Sequence, residues 1–206
     1  MQRRSTGITT RRITTRTFRY NDDAVRSGAE TFARRRFLYY VQFSPSRRIS
    51  EVALNGSVGD EIDFANSRAG TGSTINMSAR VNPTNHLDVS IVQNLRWVNV
   101  DDAQRRDARL FLARVSRVRG TYTFTSRLFV RGIAQYVSTD RDRSLYTFDT
   151  AAKSASFGGS ALLAYKLNWQ SVMFVGYGDD RESTSDERLA PLDRQFFIKL
   201  SYAFQR

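Results

Sequence analysis

Few residues of this chain could carry out catalysis. The sequence contains one histidine, His86, and no cysteine. A catalytic histidine needs a nucleophile and an orienting acid close by, whereas His86 follows a turn-forming stretch at residues 82–85 and has neither next to it. A single histidine without cysteine also excludes a zinc site made of these ligands. We therefore expect a solvated turn histidine and a protein without catalytic residues, metal or cofactor.

Adjacent acidic residues and short glycine stretches are the other candidates for chemistry. Calcium needs six or more oxygen ligands, and the acidic pairs at residues 60–61, 101–102 and 179–180 lack the spacing of a calcium-binding loop. The glycines at residues 70–72 and 176–178 are not followed by a helical pattern, so they do not predict a phosphate site at a helix N-terminus. Solvated carboxylates and ordinary strand glycines are the expected outcome.

Arginine is the functional group that the sequence supplies in excess. Lysine and arginine number 32 against 20 acidic residues, which gives a net charge of +12. Guanidinium groups bind carboxylates and acidic sugars through forked hydrogen bonds, and around a water-filled pore they favour anions. Two interpretations are open: an anion-selective interior, and an interior so narrow that its cations pair with carboxylates. The cations predicted to face the interior are Arg80, Arg96, Arg117, Arg119, Arg131, Lys166 and Lys199.

β-Strands are the elements that must position these cations. Apolar residues recur at every second position along most of the chain, most clearly over residues 87–97, and a sustained period of two predicts strands. We count about ten of them. A change of phase within residues 109–124 predicts a β-bulge near residues 114–116. No stretch approaches the roughly 18 consecutive apolar residues of a membrane helix, which excludes a helical membrane protein.

The predicted connections alternate in length. Short turns are expected at residues 44–48, 82–86, 125–126 and 168–170, and long loops at 21–34, 60–70, 99–108, 139–156 and 179–193. This alternation is typical of outer-membrane barrels. We predict an all-β, antiparallel, up-and-down transmembrane β-barrel of about ten strands, with short periplasmic turns and long extracellular loops. Ten strands that close by themselves and a section of a larger barrel both fit this pattern.

This pattern divides the chain into two predicted segments. Residues 1–34 are predicted to be a poorly patterned N-terminal segment with a first strand at residues 10–20, and residues 35–206 to be barrel strands. The first residues are basic without an apolar core, so they are not a secretory signal. A barrel would need such a signal to reach the envelope, and we expect the chain to be the C-terminal part of a longer precursor or to have a misassigned start.

The last predicted strand, residues 195–204, has one apolar side and one mostly polar side. It resembles the closing strand of bacterial outer-membrane barrels, whose terminal aromatic residue is recognised by the assembly machinery. In this chain Tyr202 and Phe204 would be that signal. The location implied is the outer membrane of a Gram-negative bacterium, with outer-membrane lipid, lipopolysaccharide and the barrel-assembly machinery as partners.

Several strand and turn motifs resemble a known family. They are Asn-Pro-Thr-Asn-His-Leu (82–87), Arg-Leu-Phe-Leu-Ala-Arg-Val (109–115), Thr-Tyr-Thr-Phe-Thr-Ser-Arg-Leu-Phe-Val-Arg (121–131) with Gln135 and Tyr136, Ser-Val-Met-Phe-Val-Gly-Tyr-Gly (171–178) and Lys-Leu-Ser-Tyr-Ala-Phe (199–204). With them, the chain from about Arg35 onward resembles the barrel half of bacterial envelope proteins of unknown function. In that family a carbohydrate-binding-like β-sandwich precedes an outer-membrane barrel. The resemblance implies a barrel, with a sugar among the solutes it could meet.

The expected function is non-enzymatic passage or surface binding of a small polar or anionic solute, porin-like in character. The alternative is a soluble basic β-domain that binds nucleic acid or another polyanion, since a strongly basic chain suits such partners. That function needs aromatic residues interleaved with arginines on one sheet face. The sequence instead places most aromatics opposite the arginines, so no nucleic acid partner is expected.

Overall fold

The computed structural model describes residues 14–102, 105–183 and 188–203. In these ranges ten β-strands form one antiparallel sheet in which each strand pairs with the next along the chain. The prediction of an all-β, antiparallel, up-and-down arrangement of ten strands is confirmed. The described residues form no α-helix, and a single 3-10 turn, Arg143–Leu145, follows the seventh strand. The strands are β1 (Thr14–Ser27), β2 (Glu30–Phe43), β3 (Ile49–Asp63), β4 (Arg68–Val81), β5 (Leu87–Val100), β6 (Ala108–Thr123), β7 (Leu128–Arg141), β8 (Lys153–Lys166), β9 (Ser171–Ser183) and β10 (Leu189–Tyr202).

The first predicted loop is absent. Residues 21–34 were predicted to be a polar connection, but β1 and β2 pair through this region until Ser27 lies opposite Glu30. The chain reverses at Gly28, whose φ of 61° suits the left-handed region that glycine tolerates best. The prediction was wrong because strand pairing uses backbone groups, which polar side chains do not prevent. The predicted boundary at residue 34 consequently falls inside β2.

The strands extend beyond the predicted crossing segments at the end where long loops were expected. β3 continues to Asp63 and β4 begins at Arg68, so the loop predicted at residues 60–70 is reduced to a short connection. A strand of 14 residues, such as β2, is about 46 Å long at ~3.3 Å per residue. This exceeds the roughly nine to eleven residues that a β-strand needs to cross a membrane. The connection between β7 and β8 remains the longest loop between described strands, at residues 142–152.

Strand register divides the sheet into two faces. Residues directly opposite each other in an antiparallel pair point to the same side. We call one side the apolar face, because it carries the row Phe43, Val52, Ala79, Ile91, Val118 and Ala134 across six neighbouring strands. The other side is called the basic face. All seven predicted interior cations lie on it, as do Arg19, Arg36 and Arg68.

The predicted bulge in β6 is in the wrong place. β6 pairs with β7 without interruption from Phe111 to Thr123. The irregularity lies nearer the start of the strand, where Asn99 of β5 opposes Arg109 and the next pair is Val98 with Phe111, which leaves Leu110 unpaired. The middle of β6 therefore keeps one phase throughout.

Polar residues that this phase places on the apolar face find local partners. Arg114 Nη1 lies 3.2 Å from Asp140 Oδ2, and the Ser116 hydroxyl donates a hydrogen bond to the Gln93 side chain. Pairing with a neighbouring strand lowers the cost of a polar group on an apolar surface. The sequence pattern alone could not show these cross-strand contacts, so it suggested a change of face instead.

β1 and β10 are the two edges of the described sheet. β1 pairs with β2 and β10 with β9, and the described residues of these two edge strands do not pair with each other. The sheet is therefore open. Edge strands present unpaired backbone N–H and C=O groups to their surroundings.

The described residues contain one small apolar cluster, and it lies on the basic face beside the loop at residues 142–152. Val98, Val100, Ala108 and Leu110 are buried there together with Leu145 from the loop. Leu145 comes from between β7 and β8, so the loop reaches back across the ends of β5 and β6. This contact covers one end of the basic face.

Candidate functional site

The basic face is the candidate site, and the five predicted arginines on it fall into two groups. Arg80 and Arg96 have carboxylate partners: Arg80 Nε lies 3.9 Å from Asp88 Oδ2, and Arg96 Nη2 lies 3.6 Å from Glu61 Oε2. Arg96 also stacks on Phe111, with its guanidinium carbon 5.9 Å from the ring centre. For these two arginines the charge is largely balanced by paired carboxylates, as in the narrow-interior interpretation.

Glu61 is the centre of this balanced region. Its side chain is buried, and Arg36 lies on its other side with a separation of 3.9 Å between Nη1 and Oε1. Two guanidinium groups around one buried carboxylate compensate for the loss of its hydration. Arg36 was not among the predicted interior cations, although the barrel strands predicted to begin at residue 35 included it.

Arg117, Arg119 and Arg131 form the second group. They lie on β6 and β7, and the described basic-face positions of β6, β7 and β8 contain no acidic residue. Arg119 lies diagonally from Arg131 because Arg131 opposes Thr121, and diagonal neighbours have Cα atoms about 7–8 Å apart. We call these three residues the arginine cluster.

Donor groups in the arginine cluster are unused. The Nε atoms of Arg119 and Arg131 are buried and find no hydrogen-bond acceptor among the described residues. A buried donor without a partner costs about 1–3 kcal/mol. Binding of a ligand that accepts this hydrogen bond would remove that cost. Arg131 is also held over the Phe129 ring, at 5.6 Å from its centre. The cluster is therefore a positioned set of donors that an anion could satisfy.

The two predicted lysines lie elsewhere on the basic face. Lys166 ends β8 opposite Val172, and Lys199 lies opposite Phe174 on the edge strand β10. Both side chains are exposed. Neither joins the arginine cluster, so the seven predicted cations share one face without forming a single site.

Of the two residues predicted as an assembly signal, the structure describes one. Tyr202 ends β10 opposite Ser171, and its hydroxyl donates a hydrogen bond of 3.2 Å to Gln170 Oε1 in the turn before β9. Phe204 lies outside the described residues.

The remaining candidates from the sequence are engaged in local contacts. His86 Nδ1 lies 2.8 Å from the Thr123 carbonyl oxygen and so joins two neighbouring turns. Asp60 accepts from Arg35, and Asp179 pairs with Arg181 at 2.7 Å. The described residues contain no group of three or more histidine, cysteine, aspartate or glutamate side chains placed to hold a metal ion.

The loop at residues 142–152 is held over the basic face by polar contacts at its start. Arg105 Nη1 lies 2.9 Å from Asp142 Oδ2, and the Ser144 hydroxyl donates to Asp142 Oδ1 at 2.6 Å. Arg68, the first residue of β4, donates a hydrogen bond to the Leu145 carbonyl oxygen. The hydrogen bonds from Ser144 and the guanidinium of Arg105 lower the pKa of Asp142, against a smaller opposing effect of burial.

Asp142→Asn is expected to loosen this loop. A carboxyl group whose pKa is lower in the folded state stabilises that state at pH values above its ordinary pKa of 3.8, and the stabilisation is lost as the pH falls through the folded pKa. At pH 7 we expect tryptic cleavage after Arg143 to be about two- to ten-fold faster in the variant, since one or two hydrogen bonds are lost. In the unsubstituted protein, the protection of the Leu145 amide against hydrogen exchange should decrease at pH values below 3.8.

Asp149→Asn is the matched control for that experiment. Asp149 belongs to the same loop and pairs with Arg143 at 2.6 Å, but it is highly exposed. Such exposed pairs contribute little. Equal cleavage rates in the two variants would show that Asp142 does not hold the loop.

Comparisons of the chain with protein-family models, curated proteins and solved structures found no match. The described ranges contain no helix long and apolar enough to span a membrane.

Proposed function

We propose that this sheet is the wall of a transmembrane β-barrel in a bacterial outer membrane, where it passes or binds a small polar or anionic solute without enzymatic chemistry. The observation that carries the proposal is the exposed apolar face. Large exposed apolar side chains occur on it in every strand except β8, and among regularly paired, described strand residues only one such side chain, Phe197, lies on the basic face.

An apolar surface of this extent is not stable in water. A typical soluble monomer exposes apolar patches of no more than about 300–600 Å², whereas exposed apolar residues here extend from Phe18 on β1 to Leu200 on β10. Along β2 the side chains of the apolar face run from the exposed Phe37 to the exposed Phe43, about 20 Å at ~3.3 Å per residue. That length approaches the roughly 25 Å apolar band of outer-membrane barrels.

The ends of the apolar face differ in the way that a membrane boundary requires. At the tight-turn end, aromatic side chains are exposed at Phe43, Phe124 and Trp169, and aromatic girdles mark membrane interfaces in barrels. At the other end the face becomes charged, with an Arg35–Asp60 pair and Asp179 between Arg181 and Arg194. The parts of the strands beyond the apolar band would then stand outside the hydrocarbon layer.

The basic face supports the choice of solute. If the apolar face meets lipid, the basic face meets water in the interior, because alternate residues of a barrel strand face opposite sides. The arginine cluster then supplies donors without competing carboxylates on the same face of these strands. We expect this part of the interior to attract small anions, including acidic sugars, as the resemblance to a family with a carbohydrate-binding-like domain suggests.

Cell envelope partners follow from this placement. A barrel of this kind would sit among outer-membrane lipid and lipopolysaccharide and be inserted by the barrel-assembly machinery. Tyr202, at the end of β10, would belong to its recognition signal together with Phe204. The alternative is a soluble polyanion-binding domain, and Phe111 and Phe129 do lie beside Arg96 and Arg131 on the basic face. It is disfavoured because these two rings are partly buried, whereas the exposed Phe18, Phe37 and Tyr177 lie on the opposite face.

Heat-modifiable gel migration tests the barrel. After refolding in detergent, the unheated protein should migrate faster than the boiled protein, since closed barrels resist the denaturing detergent until heated. A chain that folds in plain buffer and shows no change of mobility in detergent would contradict the proposal.

Planar-bilayer recordings test the solute preference separately. Under a salt gradient, the reversal potential should have the sign of anion selectivity. Replacing the arginine cluster with glutamine should shift the potential towards zero or invert it. Cation selectivity of the unsubstituted protein would rule out an anion-attracting interior even if the barrel is correct.

A further inference from the structure

A pocket of about 220 Å³ lies beside the arginine cluster, among β7, β8, β9 and β10. Its floor is formed at Gly178, a basic-face position of β9 where the neighbouring strands place Ser160 and Gln195 directly opposite. Because glycine has no side chain, the sheet has a depression at this point. We call it the Gly178 pocket.

An aromatic ring bounds one side of the Gly178 pocket. Phe197 lies opposite Gly176, and its ring occupies the space where a Cβ on that glycine would be. Leu162 opposes Gly176 from the other side. The Phe197 ring therefore packs against the backbone of Gly176. Together with Leu162 and Ile133, it forms the apolar walls of the pocket.

A guanidinium group bounds the opposite side. Arg131 lines the pocket and lies directly opposite Leu162. Its buried Nε has no acceptor among the described residues, and the Phe129 ring supports the guanidinium. Arg119 lies in the row of residues that crosses Ile133, Ser160 and Gly178.

We propose that the Gly178 pocket binds a small organic carboxylate with a flat apolar body of about the size of an aromatic ring. A protein cavity of about 150 Å³ is large enough for benzene, so 220 Å³ accommodates a ring with a carboxylate. The carboxylate would accept hydrogen bonds from Arg131, and the ring would lie against Phe197 and Leu162. This inference rests on the proposed function, because it takes the basic face to be the interior, and it names the class of anion.

Ligand-observed NMR titration of the detergent-refolded full chain with benzoate tests this pocket. Benzamide, which has the same shape without the charge, and inorganic phosphate, which has charge without a ring, are the comparison probes. We expect benzoate to bind at least about ten-fold more tightly than either, since charge-assisted hydrogen bonds and ring burial both contribute. Equal affinity for benzoate and phosphate would show a general anion site, and equal affinity for benzamide an apolar one; either would overturn the proposal.

Arg131→Gln and its control Arg117→Gln identify the residue responsible. Both substitutions remove one arginine of the cluster, but only Arg131 lines the pocket. We expect Arg131→Gln to weaken benzoate binding about ten-fold or more and Arg117→Gln to change it less than about three-fold. Gly178→Val, which fills the floor, should also abolish binding. Equal losses in the two arginine variants would reduce the effect to surface charge and overturn the proposal.

Failure of this inference is distinguishable from failure of the proposed function. A chain with heat-modifiable migration that does not bind benzoate would overturn the Gly178 pocket and leave the barrel standing. A chain without heat-modifiable migration would overturn the proposed function itself.

Discussion

Met77→Arg is expected to destabilise the chain refolded into detergent micelles or lipid bilayers. Met77 lies on the apolar face between Leu54 and Gln93, and its side chain is exposed. If this face meets lipid, a charge there costs roughly 2–4 kcal/mol near the membrane midplane. Since protein stabilities are only about 5–15 kcal/mol, this cost removes a large part of the free energy of unfolding. The temperature at which the fast-migrating form disappears and the resistance to protease measure the loss, and both should fall.

Ser78→Arg is the matched control, because it places the same side chain one residue further along β4. Ser78 lies on the basic face, opposite Ala53 and Val92. An interior that contains water and other arginines tolerates a further cation, so we expect this variant to refold nearly as the unsubstituted chain does. Equal refolding of the two variants would show that the apolar face does not contact lipid. The reverse result would mean that the two faces have been assigned to the wrong environments.

A disulfide between β1 and β10 is expected to form within one chain once the protein has refolded in detergent. The hydrocarbon layer offers no hydrogen bonds to an unpaired strand edge, and each unsatisfied backbone group there costs several kcal/mol. The edges that the described sheet leaves open should therefore pair with each other. We expect cysteines at Thr15 and Ser201 to link, and the chain has no native cysteine to compete.

The register of that closure follows from the sheet itself. One row of opposed residues begins at Thr14 on β1 and reaches Arg194 on β10. Closing a sheet into a barrel requires a fixed offset in register between its first and last strands. An offset that places Tyr202, the end of β10, opposite Thr14, the start of β1, aligns the ends of the two strands. The same offset sets Tyr20 opposite Phe196 and Asp22 opposite Arg194. Both are favourable cross-strand pairs.

Cysteines at other positions of β1 serve as controls for this register. Residues directly opposite are close enough for a disulfide, whereas those shifted by two positions are about 7–8 Å apart, beyond its usual reach. A link from Thr17 or Arg19 in place of Thr15 would close the same strands at a steeper tilt. Phe18→Cys should not link to Ser201→Cys, since these residues lie on opposite faces. Links formed only between chains would contradict closure of a single chain.

How far the sequence could predict this protein depends on where a residue lies along its strand. Within the apolar band, alternation placed Leu87, Ile91 and Val118 on the correct face and all seven candidate cations on the other. Beyond the apolar band, apolar and polar residues no longer alternate, although the strands continue. Asp22 and Arg34 were assigned to a loop although both are strand residues, because backbone pairing leaves no mark in side-chain polarity.

The sequence by itself determined an antiparallel meander of ten strands with one apolar and one basic face, since period-two alternation and turn-forming residues are local signals. Only the tertiary structure decided which cations are balanced. Arg96 meets the buried Glu61 from another strand, whereas the basic-face positions of the two strands beside Arg131 carry no carboxylate. It also created the Gly178 pocket from residues far apart in the chain. Charge pairing and cavities depend on which strands are neighbours and in what register, and that information is not carried by any one segment.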